Sequence, residues 1–273
     1  MSFRKSEKID VFIPTYNSGR HLQECLDSVK KAFPVRRVVL VDHKSVDSTL
    51  LIGRRNGCEI IEEEKGLAYA RELSFRLAET EVLAMVESDL VYREYGWYER
   101  AIGLMKDNVA AVVAYVPRAR EVERGRYNEF WSKHTPLRER RHGFSAGSTL
   151  VRTEAVRKMR LPPRLNAYED LYIMRQLSKA GWTYKYIEVE GVHYSDDRSF
   201  AKARWYGANA RTLYSLDPGN LVLVRRHLTM PLKGAVASIL MLEPRVFWWA
   251  AGFTANFFWG WSRPRRFGAL QRG

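Results

Sequence analysis

Three observations predict an α/β fold built on a doubly wound, mostly parallel sheet. Short apolar runs of strand length alternate with segments of helical period from residue 9 to residue 89. The helical segments are of crossover length, as right-handed parallel connections require. The last run, Val82-Leu83-Ala84-Met85-Val86, stops abruptly at Glu87-Ser88-Asp89, and ligands bind open α/β sheets at the carboxyl ends of their strands.

Composition bounds the reading. At 273 residues with 46% hydrophobic residues, the chain suits one large domain plus an appendage. Its two cysteines, Cys25 and Cys58, have no metal-type spacing and imply core thiols in a reducing compartment. A polar N-terminus leading straight into a strand carries the expectation of no signal segment and a catalytic body in the cytoplasm. The net charge of +14 favours anionic partners. Its arginine-rich stretches fall at 118–141, 198–211, 225–226 and 263–272, beside the most apolar sequence. That placement predicts an anionic membrane surface rather than nucleic acid, for which no docking motif is present.

Taken in order, Ile9–Ile13 is a strand, and Pro14-Thr15-Tyr16-Asn17-Ser18-Gly19 is a turn that caps a helix with Leu22, Cys25, Leu26 and Val29 on one face. Val38–Val41 is a second strand ending at Asp42, and Ser45–Thr49 opens the next helix. Glu59-Ile60-Ile61 leads through Gly66 into a helix over 67–78. Neither a dinucleotide glycine fingerprint nor a phosphate loop occurs. A nucleotide would instead be held by scattered contacts from Pro14, Thr15, Tyr16, Asp42, Gly66 and Arg71, with ordinary turn chemistry as the alternative for each. Glu87 and Asp89 lie two apart and project to one side of the strand end. Two carboxylates there suit Mg²⁺ or Mn²⁺, against the alternative of a plain acidic turn.

Residues 109–116 form another strand. The arginine-rich stretch Pro117–His142 is expected to be a mobile acceptor-side loop or a solvated basic surface. Gly143–Val151 returns to a strand, and after Leu161-Pro162-Pro163 a helix starts at Glu169-Asp170. These acids cap the helix dipole, a role compatible with catalysis. His193 follows the strand Tyr186–Val189 and is a candidate for the metal or diphosphate site, or a structural histidine. A basic, aromatic helix begins near Arg198, suited to a membrane interface or to covering the site. Apolar runs over 231–262, broken by Glu243-Pro244-Arg245, fall short of a full bilayer span. Two short helices in the cytoplasmic leaflet are expected, ahead of one tilted span or a dimer-forming hairpin.

Four segments in order carry a family resemblance: Ile13-Pro14-Thr15-Tyr16-Asn17, Val41-Asp42 with Ser45-Val46-Asp47-Ser48-Thr49, Gly66-Leu67-Ala68-Tyr69-Ala70-Arg71, and Glu87-Ser88-Asp89. Together they closely resemble the family 2 glycosyltransferases of GT-A fold, and the likeness covers roughly residues 8 to 215. It implies a nucleotide-diphosphate sugar donor, adds Asn17 and Ser88 to the donor site, and makes Asp89, with Glu87, the metal ligands. Tyr168-Glu169-Asp170-Leu171 resembles the family motif whose Asp is the catalytic base, which makes Asp170 that base. Ala201-Lys202-Ala203-Arg204-Trp205 sits where many members carry Gln-x-x-Arg-Trp, so Arg204 and Trp205 become donor-site candidates. His43 and Lys44 stand where Asp and Gly are usual, Glu87 where Asp is usual, and Ala201 where Gln is usual.

The expected function is an inverting, metal-dependent hexosyltransferase at the cytoplasmic face of the cell membrane, acting on a lipid-linked or polyprenyl-phosphate acceptor. The alternatives are a soluble or protein acceptor with the tail forming a homodimer, and a degenerate, non-catalytic sugar-nucleotide binder. The expected organisation is a glycosyltransferase domain over 1–217, with its nucleotide half at 8–90 and acceptor half at 91–217, followed by membrane-association helices over 218–273.

Overall fold

The computed structural model describes residues 8–117, 123–134, 145–163, 165–194, 200–218 and 221–267. The alternation begins with β1 (Ile9–Thr15), α1 (Leu22–Ala32), β2 (Val35–Asp42), α2 (Thr49–Arg55), β3 (Glu59–Glu62), α3 (Leu67–Leu77) and β4 (Val82–Val86). There follow β5 (Leu90–Tyr92), α4 (Trp97–Leu104), β6 (Val109–Tyr115), α5 (Glu123–His134), β7 (Ser148–Arg152) and α6 (Thr153–Val156). The rest are α7 (Glu169–Lys179), β8 (Thr183–Glu188), β9 (Gly191–His193), α8 (Phe200–Leu216), α9 (Leu221–Met241), α10 (Pro244–Ser262) and α11 (Pro264–Phe267).

The chain divides into two compact units, Met1–Pro117, Gly143–Pro163 and Glu169–Tyr194 in one, and Arg118–His142, Arg164–Tyr168 and Ser195–Gly273 in the other. The helix α8, which the sequence alone assigns to the acceptor half, thus groups with the C-terminal helices.

In the first unit a seven-stranded sheet runs β3-β2-β1-β4-β7-β6-β8. It is parallel except at β7, which pairs antiparallel with both β4 and β6. Strands covered on both faces by helices must be apolar throughout. Val11, Phe12, Ile13, Leu83 and Met85 accordingly have no exposed surface, and each such residue stabilises the fold by roughly 1.5–3 kcal/mol. Phe33, Tyr92, Trp97 and Tyr98 pack edge to face or tilted in the same core. Asp10 is buried in β1; burial raises its pKa, but the Glu79 amide and the Arg36 and Arg37 guanidiniums outweigh that and hold it below the usual carboxylate value.

A separate two-stranded ribbon pairs β5 with β9 antiparallel, Leu90 opposite His193. This register carries the chain back, a hundred residues later, to the carboxyl end of β4. The His193 amide donates to Pro117 O and the Tyr194 amide to Asp89 O.

The second unit is helical. The stretch expected to be a loop between Pro117 and His142 contains α5, a correction with a packing cause: Phe130 lies in a cluster with Ala237 and Val246, flanked by Tyr127 and Trp131. Its charged sequence hides this, because the i,i+4 pair Glu129–Lys133 covers the other side. A second correction concerns the tail, since α9 begins at Leu221 and continues through Pro231. Proline removes the hydrogen bond to the carbonyl four residues back, and here Thr254 Oγ1 of α10 donates to that carbonyl, His227 O, at 3.3 Å. The Trp- and Phe-rich α10 buries Val246, Trp249, Ala250, Phe253, Phe257 and Gly260 rather than presenting all its aromatics outward. Its approach to α8 is close: a Cβ on Gly207 would lie 1.8 Å from Phe257 O, and one on Gly260 1.9 Å from Arg204 O. Among the described residues no helix is long and apolar enough to cross a membrane.

Candidate active site

The carboxyl ends of β1 and β2 carry two loops fastened to each other by side chains. Asp42 is fully buried, and its carboxylate accepts the Thr15 hydroxyl at 2.7 Å, the Ser45 amide at 2.7 Å and the Ser45 hydroxyl at 2.6 Å. The Asn17 amide donates to Ser45 Oγ, while Asn17 Oδ1 accepts the Val46 amide. The Ser18 amide reaches Thr49 Oγ1 and the Gly19 amide reaches Asp47 Oδ2. Burial raises the Asp47 pKa, but the Thr49 hydroxyl and the Thr49 and Gly19 amides hold it below its ordinary value. Ser88 Oγ donates to Ser18 Oγ at 2.8 Å, which joins the β4 end to the same network. Pro14, Thr15, Tyr16, Asn17, Asp42 and Ser88 are therefore gathered, and Asp42 acts inside the loops as their brace.

Lys44 has φ 54°, a conformation that favours glycine, so the residue departing from the family pattern keeps the glycine-like turn. The neighbouring His43 directs Nδ1 to Glu63 Oε1 at 2.7 Å and sets its ring edge against Tyr16. The buried Glu63 accepts the Lys65 and Gly66 amides on its other oxygen, at 2.6 and 2.8 Å. The Gly66 amide expected to approach a diphosphate is thus engaged by an internal carboxylate. No signal in the sequence marks Glu63 for this role, because nothing distinguishes it from its neighbours in the run Glu62-Glu63-Glu64.

Arg71, one turn into α3, is a buried cation of this region. It is 1% exposed, and its Nε and Nη1 have no hydrogen-bond partner among the described residues. A buried guanidinium with unmade hydrogen bonds is costly, and it fits an anion. Its nearest acid is Glu169, with Nε 3.8 Å from Oε1, too long for a hydrogen bond.

Glu87, Asp89 and His193 present ligand atoms that all lie within 4.8 Å of one another. His193 Nε2 is 2.7 Å from Glu87 Oε2 and 3.3 Å from Asp89 Oδ1. Gly147 makes room for this cluster: a Cβ there would fall 2.2 Å from the Glu87 carboxyl, and Gly147 O accepts the Glu87 amide at 2.7 Å. Two carboxylates suit Mg²⁺ or Mn²⁺, and the imidazole adds a nitrogen that a transition ion accepts more readily than Mg²⁺.

Asp170 is the second residue of α7, where its Oδ1 accepts the Leu171 amide at 2.7 Å. The adjacent Glu169 is buried, and its pKa is pushed up to about 8 by burial first and by Asp170 second, with Glu87 adding and Arg71 opposing. Burial and Tyr184 also hold the Tyr186 phenol above its ordinary pKa, with a smaller contribution from Asp170. The base candidate, the buried arginine and the metal-type cluster are thus electrostatic neighbours in one unit.

Arg204 and Trp205 lie in the helical unit. Arg204 Nη1 donates to Asn256 Oδ1 at 2.6 Å, and its guanidinium sits over the Trp259 ring, fastening α8 to α10. Trp205 Nε1 is buried without a hydrogen-bond partner among the described residues.

The family model described as Glycosyl transferase family 2 matches residues 10–161. The chain is 29% identical over 97 residues to Glycosyltransferase GlyG of Streptococcus pneumoniae serotype 4, a match covering 33% of this chain and 32% of that relative. It therefore spans about a third of the relative's length. Among solved structures it is similar to glucosyl-3-phosphoglycerate synthase of Mycobacterium tuberculosis in complex with Mn²⁺, UDP and glucosyl-3-phosphoglycerate, with TM-score 0.58, 16% identity and coverage of 76% of this chain and 79% of that one. The complex of that synthase with Mn²⁺, UDP-glucose and phosphoglyceric acid gives TM-score 0.59 at 16% identity, over 76% and 79% of the two chains. At such identity the likeness establishes the GT-A-like fold.

Proposed function

The chain belongs to glycosyltransferase family 2, and from that premise we propose that it transfers a hexosyl group, with inversion, from a nucleotide-diphosphate sugar to a lipid-linked or polyprenyl-phosphate acceptor at the cytoplasmic membrane face. The observation carrying this reading is the Glu87–Asp89–His193 cluster at the carboxyl end of β4, in one unit with Asp170 and with Arg71, whose buried Nε and Nη1 have no hydrogen-bond partner among the described residues. Uridine diphosphate is the favoured leaving group, because the structurally similar synthase is seen with UDP and Mn²⁺, and in another complex with UDP and Mg²⁺.

Glu87, Asp89 and His193 would hold the divalent ion. When bound, Mg²⁺ or Mn²⁺ supplies positive charge to the leaving diphosphate. Arg71 offers its buried donors to a phosphate oxygen. An acceptor oxygen, the hydroxyl of a lipid-linked saccharide or a phosphate oxygen of polyprenyl phosphate, forms its bond to the anomeric carbon as the bond to the diphosphate breaks. Where the acceptor is a hydroxyl, Asp170 takes its proton, and the Leu171 amide fixes the Asp170 carboxylate at the helix start. The loops braced by Asp42 hold the nucleotide, with Tyr16 and His43 at their rim.

The choice of a lipid acceptor rests on composition, a net charge of +14 beside apolar C-terminal helices. A second reading, a small phosphorylated acceptor, is favoured by the similar synthase, which is seen with phosphoglyceric acid and with glycerol 3-phosphate. Radiolabelled UDP-sugar incubated with Mn²⁺ and either polyprenyl phosphate in detergent or phosphoglyceric acid separates the two. Label in the organic phase supports the lipid acceptor; label entering the phosphoglyceric acid alone replaces it.

A further inference from the structure

The side of α9 that faces its neighbours is formed by Leu223, His227, Met230, Gly234 and Ala237, all buried and spaced three or four apart. In a helix resting on a water-soluble core the opposite side is polar. Here it carries Leu228, Leu232, Val236, Ile239 and Leu240, between 39% and 72% exposed, and Leu242 follows at 88%. Five aliphatic side chains at spacings of four, four, three and one on one helix face make a continuous strip rather than scattered exposure.

The charges of this helix are all of one sign. Arg225, Arg226 and Lys233 are exposed, and residues 221–242 contain neither Asp nor Glu. An apolar strip with exposed cations on the same helix is matched by an anionic bilayer interface, where acyl chains take the aliphatic groups and headgroups take the cations. A second copy of the chain would instead bring the three cations against their own counterparts. We propose that the outward face of α9 docks on an anionic lipid surface, Leu232 and Ile239 entering the acyl boundary and Arg225, Arg226 and Lys233 meeting the headgroups. The proposal rests on the membrane-face reading above, yet its test needs no donor, metal or acceptor, so either can fail alone.

The test is flotation of the full chain with vesicles of phosphatidylcholine alone and of phosphatidylcholine mixed with phosphatidylglycerol, alongside light scattering in buffer. The wild type should float with the mixed vesicles and bind the neutral ones more weakly. Leu232→Asp with Ile239→Asp should lower partitioning at least about tenfold, with the melting temperature unchanged because both side chains are exposed. Arg225→Gln with Arg226→Gln and Lys233→Gln should abolish the preference for phosphatidylglycerol while leaving the weaker neutral binding. Unchanged flotation of both variants overturns the proposal. So does a wild-type dimer that the aspartate variant converts to a monomer, which would make the strip an interface between copies.

Discussion

The sheet unit and the helical unit treat apolar surface in opposite ways. In the sheet unit, β4 is apolar to its last residue and fully covered, β1 is buried at every residue but the half-buried Pro14, and carboxylates gather where the strands stop, at Asp42, Glu87 and Asp89. In the helical unit α8 meets α10 through small residues, Ala203, Gly207, Ala208 and Gly260, while most leucines of α9 face outward. One unit uses burial to hold charged groups at fixed positions; the other uses close backbone packing to hold an apolar face open. The difference teaches that the chemistry and the choice of surroundings are separable in this chain, and substitutions should affect one without the other.

The largest expected effect lies in the sheet unit. Asp170→Asn should keep donor binding and lower transfer by about 10²–10⁴-fold, the usual loss for a general base, measured as single-turnover transfer against donor affinity. A wild-type rate would reduce Asp170 to a helix cap. Gly147→Ala follows, because its Cβ would collide with the Glu87 carboxyl. A misplacement of about 1 Å at a reacting site costs up to about 10²-fold, so Mn²⁺-dependent turnover should fall while the melting temperature stays near wild type.

Gly207→Ala sharpens the contrast from the other side. The new methyl would meet Phe257 O at 1.8 Å, and such overpacking costs about 1–3 kcal/mol. Chemical denaturation should show the helical unit weakened, with UDP and Mn²⁺ binding unaffected in folded protein. Loss of both together would mean the units are one cooperative body.

The smallest effect is on pH dependence. Glu169 titrates near 8 in the folded chain against 4.5 ordinarily, so between those values the folded state holds a proton that the unfolded state has released. Stability is therefore complete below the lower value and falls as pH rises through the upper one. Melting curves for Glu169→Gln should show a shallower decline over that window than the wild type; an identical slope would contradict the assignment.

The sheet unit was legible in the sequence because each cause was local. Ile9–Ile13, Val38–Val41 and Val82–Val86 are runs whose burial follows from their composition, and Glu87 and Asp89 share a face by strand geometry. The antiparallel insertion of β7 between β4 and β6 was not legible, since apolar residues such as Leu150 and Val151 suit either direction. His193 could be singled out only as a candidate, because its place beside Glu87 depends on the ribbon register with Leu90. Glu63 and Gly147 were missed as site residues: each works through a neighbour distant in sequence. In the helical unit, α5 was hidden by its charged face, and the passage of α9 through Pro231 was not legible because the hydroxyl that compensates it comes from Thr254.

The central claim is that Glu87, Asp89 and His193 form a divalent-metal site that holds a nucleotide diphosphate. Calorimetric titration of UDP into the full chain, with Mn²⁺ and again with EDTA, tests it for the wild type and for Asp89→Ala. The account predicts UDP binding in Mn²⁺ that chelation weakens at least about tenfold and that Asp89→Ala reduces to the chelated level. Equal affinity for UDP in all four titrations would contradict it.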